Sequence, residues 1–310
     1  MYSTGQRRAL VFAAIALSGL HLLQHMAFPS NTRPQESFFC DLEQAPPKHL
    51  LAKQSQTCPI TFVTQYFRLP SKHAHDEYVG WIRNQQSKMC LLIFTDSPSL
   101  WLELPTQAVV RTGICEEGRA LNHSQCFWRE QWHQDVEASI HRSYQLYLTW
   151  NLKAHFLREA VRLNVFSSRF FFWVDAGYMR DPSLFPGSAV GLSPHLPTLD
   201  RMVFLMVHPF GEEELGGNYR YTTGQDRIAG NMFGGGAKAV ESWSSLYYQV
   251  VDEYVDRGWF VGKDQNMMNT LCIKHRGACT LVEPRGLAIG ENPWYALWGC
   301  LHATRDCLFY

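Results

Sequence analysis

The chain carries no surplus of charge. Its 28 Lys plus Arg are balanced by 28 Asp plus Glu, and no basic stripe gathers along it. Nucleic acid is therefore excluded as the main partner, because nucleic-acid binders concentrate Lys and Arg on one face. Low-complexity tracts, acidic tails and internal repeats are also missing, which excludes solenoid arrays and long disordered scaffolds. No pair of its nine cysteines is spaced CxxC, so a zinc module is excluded. The run Gly234-Gly235-Gly236 lacks the GK[ST] ending of a P-loop. What the sequence does have is apolar material: 46% hydrophobic and 14% aromatic residues over 310 positions, enough for one large α/β domain or two small ones.

The amino terminus indicates a compartment. Arg7 and Arg8 precede an apolar stretch over residues 9–28 that Pro29 closes. Positive charge before such a segment favours a cytoplasmic tail (1–8), a signal-anchor helix (9–28) and a lumenal remainder. The alternative is a cleaved signal peptide, although no clear small-x-small site follows Leu23. Residues 29–57, with Pro34, Pro46 and Pro47 and no periodicity, read as a stem, and a single folded domain is expected over 58–310. Eight cysteines fall into neighbouring pairs along the chain (40/58, 115/126, 272/279, 300/307), which leaves Cys90 as a buried free thiol. Asn122-His123-Ser124 is an N-glycosylation sequon, usable only in the lumen, so Asn122 is a candidate glycosylation site.

The folded part centres on FFFWVDAGYMRD, residues 170–181. An unbroken apolar run suits a strand buried on both faces, and a carboxylate where it ends stands at the sheet's carboxyl edge. Asp175 is that carboxylate, and Gly177 permits a sharp turn after it. Asp175 reads either as a metal or phosphate ligand or as a cap on the turn. TFVTQYF (61–67) and CLLIFTD (90–96) repeat the pattern, the second ending in Asp96. Strand–loop–helix units in succession predict a doubly wound, mostly parallel sheet. The loop after the first strand holds Arg68, Lys72, His73 and His75, placed to touch a nucleotide or simply solvated. A helix with Asp76 and Glu77 in its first turn follows.

A long helix is expected from about Ala138 to Leu163, with Arg142 and Lys153 outside its apolar stripe. RMVFLMVHPF (201–210) reads as another strand. In AGNMFGGGAKAVESW (229–243) the glycines are expected to present bare N–H groups at a helix start, or to serve as a flexible turn. In GKDQNMMNTLC (262–272), Asp264 and Gln265 open a short helix, where Asp264 also suits an N-cap.

These motifs, in this order, resemble the bacterial HtrL/YibB-type family and its eukaryotic relatives, which look like glycosyltransferases of the GT-A fold. The resemblance spans roughly residues 58–300. It implies a GT-A-like α/β domain with a nucleotide-diphospho-sugar site at the sheet's carboxyl edge. Asp175 matches the first Asp of a DxD metal motif, whereas Gly177 stands where the second is expected. His302 resembles a late histidine that completes the Mn²⁺ or Mg²⁺ shell. Arg68, Lys72, Asp96, Lys153, Gly177, Asn231, Gly234 and Gly235 are implied donor or nucleotide contacts. Asp264 and Gln265 resemble the acidic element facing the reacting sugar, with Asp264 as base or sugar-positioning group.

The expectation is a transferase of the Golgi or ER membrane moving a sugar to a glycan-type hydroxyl acceptor. The alternative is a carbohydrate- or nucleotide-binding protein that keeps the fold without turnover. A metal-dependent hydrolase using His73, His75 and Asp76 is a poorer third, because those residues sit close together in one loop.

Overall fold

Strand formation in this chain follows its β-branched and aromatic runs. In the computed structural model these runs become one nine-stranded sheet among the described residues, in the order β1-β4-β3-β2-β5-β7-β6-β8-β9. The strands are β1 His49–Ala52, β2 Ile60–Tyr66, β3 Leu91–Thr95, β4 Ala108–Arg111, β5 Phe170–Val174, β6 Met202–Met206, β7 Ile228–Gly236, β8 Cys279–Pro284 and β9 Cys307–Phe309. The structure describes residues 48–52, 57–97, 99–100, 108–185, 187, 200–217, 220–221, 226–288 and 291–310. All of these lie in the compact unit Gln44–Tyr310. The expected tail, anchor and most of the expected stem lie outside them. Among the described residues no helix is long and apolar enough to cross a membrane.

The sheet is mixed. β2 pairs in parallel with β3 and β5, β3 with β4, and β6 with β8. β1, β7 and β9 run against their neighbours. The parallel doubly wound pattern expected from the sequence therefore holds for the β2–β5 region and is interrupted by β7. Every residue of β3 and β5 is buried, as unbroken apolar runs require. Alternation assigns Phe171 and Trp173 to one core and Phe170, Phe172 and Val174 to the other. Full burial of each such side chain contributes about 1.5–3 kcal/mol.

The first core is covered by α3 Gln145–Asn151, α4 Lys153–Leu163, α5 Ala237–Asp256 and α6 Asp264–Lys274, and the second by α1 His75–Gln86 and α7 Ala296–Leu301. α2 Gln125–Gln134 precedes this group, and the Ser124 hydroxyl accepts the Phe127 N–H at its start. In α1, the Glu77 carboxylate of the acidic first turn also caps the helix, accepting the Ala74 N–H at 2.8 Å.

Four expectations are corrected. The long helix breaks after the single turn Ala138–His141, because Arg142 adopts a left-handed φ of 53°. The glycine run belongs to β7 itself, and a Cβ on Gly234 would lie 2.3 Å from the Phe171 carbonyl oxygen. Glycine is therefore required there by close backbone approach, so Gly234 and Gly235 form no anion-binding loop. Cys90 is bridged to Cys58, which joins the residues just before the adjacent parallel strands β2 and β3. Pairing of neighbours along the chain failed here because a parallel sheet brings successive strand starts together. Cys272–Cys279 and Cys300–Cys307 form as expected. Cys126 is a free, exposed thiol, so the expected bridge from Cys115 to it is absent, and Cys115 is bonded elsewhere.

A buried polar group ties α4 to the edge of the sheet. Glu117 accepts from the Thr112 hydroxyl at 2.6 Å and pairs with His155 at 2.7 Å and Lys48 at 3.1 Å. Burial alone would raise its pKa, but the hydrogen bonds from His155 and Thr112 and the Lys48 charge outweigh that and bring it down to about 2.

Candidate functional site

The carboxyl ends of β2 and β5 open onto a cavity of about 350 Å³. At its base β5 hands over to a turn, in which the Tyr178 N–H donates to the Asp175 carbonyl at 2.8 Å. The buried Gln85 of α1 donates to the carbonyls of Asp175 and Ala176. The Asp175 N–H continues the ladder to the Asn231 carbonyl at 2.8 Å. Both backbone polar groups of Asp175 are thus held, and its side chain falls on the same face as Trp173 two residues earlier.

That face meets α4. Lys153, its first residue, is 4% exposed and places Nζ 3.0 Å from Asp175 Oδ1 and 2.9 Å from Asp264 Oδ2. It donates a hydrogen bond to the Gly230 carbonyl at 2.8 Å. Two carboxylates of opposite charge and one hydrogen-bonded carbonyl surround the ammonium, which is how a buried lysine is tolerated. Burial disfavours its charge, yet Asp175 and Asp264 outweigh that and hold its pKa above the ordinary lysine value. Burial pushes the Asp264 carboxyl up, and the Asp175 charge adds to the shift against the opposing pull of Lys153. Asp175 itself is 37% exposed; Oδ1 also receives the Trp173 indole N–H at 2.7 Å, and Oδ2 has no partner among the described residues.

The reversal of β7 completes the arrangement. Because β7 runs against β5, with Val174 opposite Met232, its first residues reach the carboxyl edge and its glycines the other edge. Gly230 admits the start of α6: a Cβ there would meet Gln265 Cγ at 2.9 Å and Asp264 Oδ2 at 3.4 Å. Asn231 donates from Nδ2 to the Trp294 carbonyl at 3.0 Å, while its buried Oδ1 has no partner among the described residues. That oxygen belongs to a residue lining the cavity, where a ligand donor would satisfy it.

The sequence candidates separate cleanly on this frame. Lys72, Lys153, Asp175, Gly177 and Asn231 line the cavity. Gly177 has no left-handed φ, and a Cβ on it would make only ordinary contacts from 3.4 Å, so the sharp-turn role is not needed. Arg68 and Asp96 sit beside one another, the Arg68 N–H donating to Asp96 Oδ1 at 3.3 Å, and neither is among the lining residues, although Phe67 and Leu69 on either side of Arg68 are. Gly234 and Gly235 lie at the far end of β7. Asp264 reaches the cavity only through Lys153, and Gln265 is committed to the Ile228 carbonyl at 2.8 Å. His302 packs on Trp298, outside the lining. His75 is held by the Tyr66 hydroxyl at 2.6 Å and Ser99 at 3.0 Å. Asn122 is exposed at the end of a short turn, with φ 55°.

Sequence reasoning missed the aromatic part of the wall, Tyr66, Tyr78, Trp150 and Tyr295, and also Gln65 and His141. Tyr66 ends β2, so its place at the edge was readable from the strand alone. Burial, first, and the neighbouring Tyr78 push the Tyr66 hydroxyl up to about 12, which keeps it a neutral hydrogen-bonding group. Arg180 stacks over Trp81 at 4.7 Å and donates to the Gly177 carbonyl, while Lys72 is exposed.

Comparison with known proteins gives one family. The protein-family model described as "Bacterial protein of unknown function (HtrL_YibB)" matches residues 120–212. The resemblance to the HtrL/YibB family is borne out over that stretch, which holds α2, α3, α4, β5, β6 and Asp175. No curated protein matches the chain.

Proposed function

We propose, with the HtrL/YibB match as premise, that this chain is a GT-A-like glycosyltransferase that binds a nucleotide-diphospho-sugar in the cavity at the ends of β2 and β5. One observation carries the reading: a carboxylate oxygen, a buried amide oxygen, aromatic rings and three cations meet in one cavity at a sheet's carboxyl edge. Each part has a use. Tyr66, Trp150 and Tyr295 offer faces for a base or sugar ring. Lys72 and Arg180 supply the charge that a diphosphate needs, more strongly as the anomeric C–O bond breaks and negative charge develops on it. Asp175 Oδ2 and Asn231 Oδ1 accept hydrogen bonds from sugar hydroxyls. The three described disulfides accord with a lumenal, oxidising compartment, and with it the Golgi or ER membrane placement read from residues 1–28.

The residues do not fit a resident divalent ion. Asp175 is the sole carboxylate among the described residues lining the cavity, and its Oδ1 already takes the Lys153 ammonium and the Trp173 N–H. Mg²⁺ or Mn²⁺ calls for several oxygen ligands and is repelled by a cation 3.0 Å from the same carboxylate. No catalytic step is therefore routed through a metal.

The test is binding and turnover by the full chain. Uridine and guanosine diphosphate are titrated in thermal-shift measurements, and a panel of nucleotide-sugars is screened for release of nucleoside diphosphate. A stabilising nucleotide and a consumed donor support the proposal, and no binding by any nucleotide refutes it. The second reading, a binding protein without turnover, is favoured by the burial of Asp264 behind Lys153, which removes the carboxylate expected at the sugar. Binding without consumption of any donor would establish it.

A further inference from the structure

A second hydrogen-bonded group borders the same cavity. Asp135 follows α2 with a fully buried carboxylate. Its Oδ1 accepts the Glu137 N–H at 2.9 Å, and its Oδ2 accepts the Tyr147 hydroxyl at 2.6 Å and faces His141 Nδ1 at 2.8 Å. The left-handed Arg142 turns the chain immediately after His141, and Trp150 meets the ring edge-on at 5.0 Å. The ring is thereby fixed by its sequence neighbours, its carboxylate and an aromatic side. With Nδ1 donating to Asp135, Nε2 carries the lone pair, and it has no partner among the described residues. His141 lines the cavity that holds Asp175 and Asn231.

The other charged groups near this ring are accounted for. Glu137 pairs with Lys263, and Arg142 donates to the Ser71 carbonyl at 3.1 Å. Lys72 stands on the cavity wall. Burial and then the Asp135 hydrogen bond push the Tyr147 hydroxyl far up, so it stays protonated and donating. The ligand atoms of Asp135, Glu137 and His141 gather within 4.8 Å of one another. Tyr147 and Lys263 already occupy those carboxylates, however, so the group is arranged to handle a proton rather than a metal.

The geometry points to His141, oriented by Asp135, as the group that takes the proton from the acceptor hydroxyl. This rests on the transferase reading above. The acceptor oxygen attacks the anomeric carbon as the bond from that carbon to the diphosphate oxygen breaks. The electron pair leaves with the nucleoside diphosphate. The hydroxyl proton passes to His141 Nε2, and the imidazolium formed is stabilised by the Asp135 carboxylate until solvent removes the proton. Direct displacement of this kind inverts the anomeric centre. Asp135 acts through His141 and is a positioning residue.

The experiment uses the full chain with a panel of UDP-glucose, UDP-galactose, UDP-N-acetylglucosamine and GDP-mannose, and compares wild type with His141→Gln, His141→Ala and Asp135→Asn. His141→Gln lowers kcat about 100-fold or more while the donor KM changes less than about threefold. Imidazole added to His141→Ala restores part of the rate. Asp135→Asn lowers kcat without responding to imidazole. Thermal unfolding is followed for each variant. A kcat for His141→Gln within about threefold of wild type overturns the assignment and leaves the transferase intact. Loss of rate that accompanies a lowered Tm, with no imidazole rescue, shows a structural role and also overturns it. If wild type binds no nucleotide and consumes no donor, the transferase reading fails, and this assignment with it.

Discussion

Replacing Lys153 by Met keeps the length of the side chain and removes its charge. Asp175 and Asp264 then lose the cation that pairs with them, and the Gly230 carbonyl loses its donor. Removing one partner of a buried ion pair typically costs about 3–5 kcal/mol. Water reaches Asp175 and softens its share, whereas Asp264 is 5% exposed and has no such relief. The expected loss is therefore about 3 kcal/mol at pH 7, read from urea unfolding by tryptophan fluorescence. The loss should depend on pH in a known direction. Without Lys153 the folded-state pKa of Asp264 lies still further above the unfolded value of 3.8. The folded state then binds a proton that the unfolded state does not, so stability falls as pH rises through that window and the penalty shrinks on acidification. Adding Asp264→Asn to Lys153→Met should return about half of the loss, because the uncompensated carboxylate goes with it. A loss below about 1 kcal/mol, the same at pH 5 and pH 8, would refute the reading that Lys153 compensates the Asp264 carboxylate.

Three further outcomes are expected. Asp175→Asn should weaken binding of a nucleotide-sugar about tenfold while bare nucleoside diphosphate binds nearly as before, measured by calorimetry; chelator should change neither, and Mn²⁺-restored binding after chelation would show that Asp175 recruits an ion despite Lys153. Gly234→Ala should destabilise by about 3 kcal/mol or more, since its Cβ would strike the Phe171 carbonyl and the Phe172 ring, and any folded fraction should bind nucleotide normally. Glu117, brought down from 4.5 to about 2, contributes stability that is fully present above pH 4.5 and lost as pH falls towards 2; in Glu117→Gln the midpoint of acid unfolding should move and this part of the slope should vanish.

The strands and their burial were legible because apolar runs leave few alternatives. FFFWV has no polar face to expose, and Asp175 ends it at the edge where ligands bind. The pairing of Asp175 with Lys153 was not legible in the same way. Lys153 falls outside the apolar stripe of its helix, where a lysine ordinarily points to water. Its partners come from β5, β7 and the start of α6, elements far from it in the chain. Direction was hidden too. AGNMFGGG has few side chains to show a period of two, so a strand read as a glycine turn, and its glycines were expected beside Asn231 at the site although they lie at the opposite edge. His141 and Asp135 lie six residues apart around a tight turn, and no spacing rule announces such a contact.

β7 has a consequence for how this chain can change over generations. Asn231 and Gly234 are three residues apart on one strand, one serving the cavity and the other fitting beneath Phe171 and Phe172. Their separation is a fixed ruler. Insertion or loss of one residue between them would either drive a bulky side chain into the neighbouring strand or swing the Asn231 amide out of the cavity. Sequence length in this stretch is therefore constrained more tightly than sequence identity, and descendants of this chain should vary Met232 and Phe233 among apolar residues far more readily than they vary the count between Asn231 and Gly234.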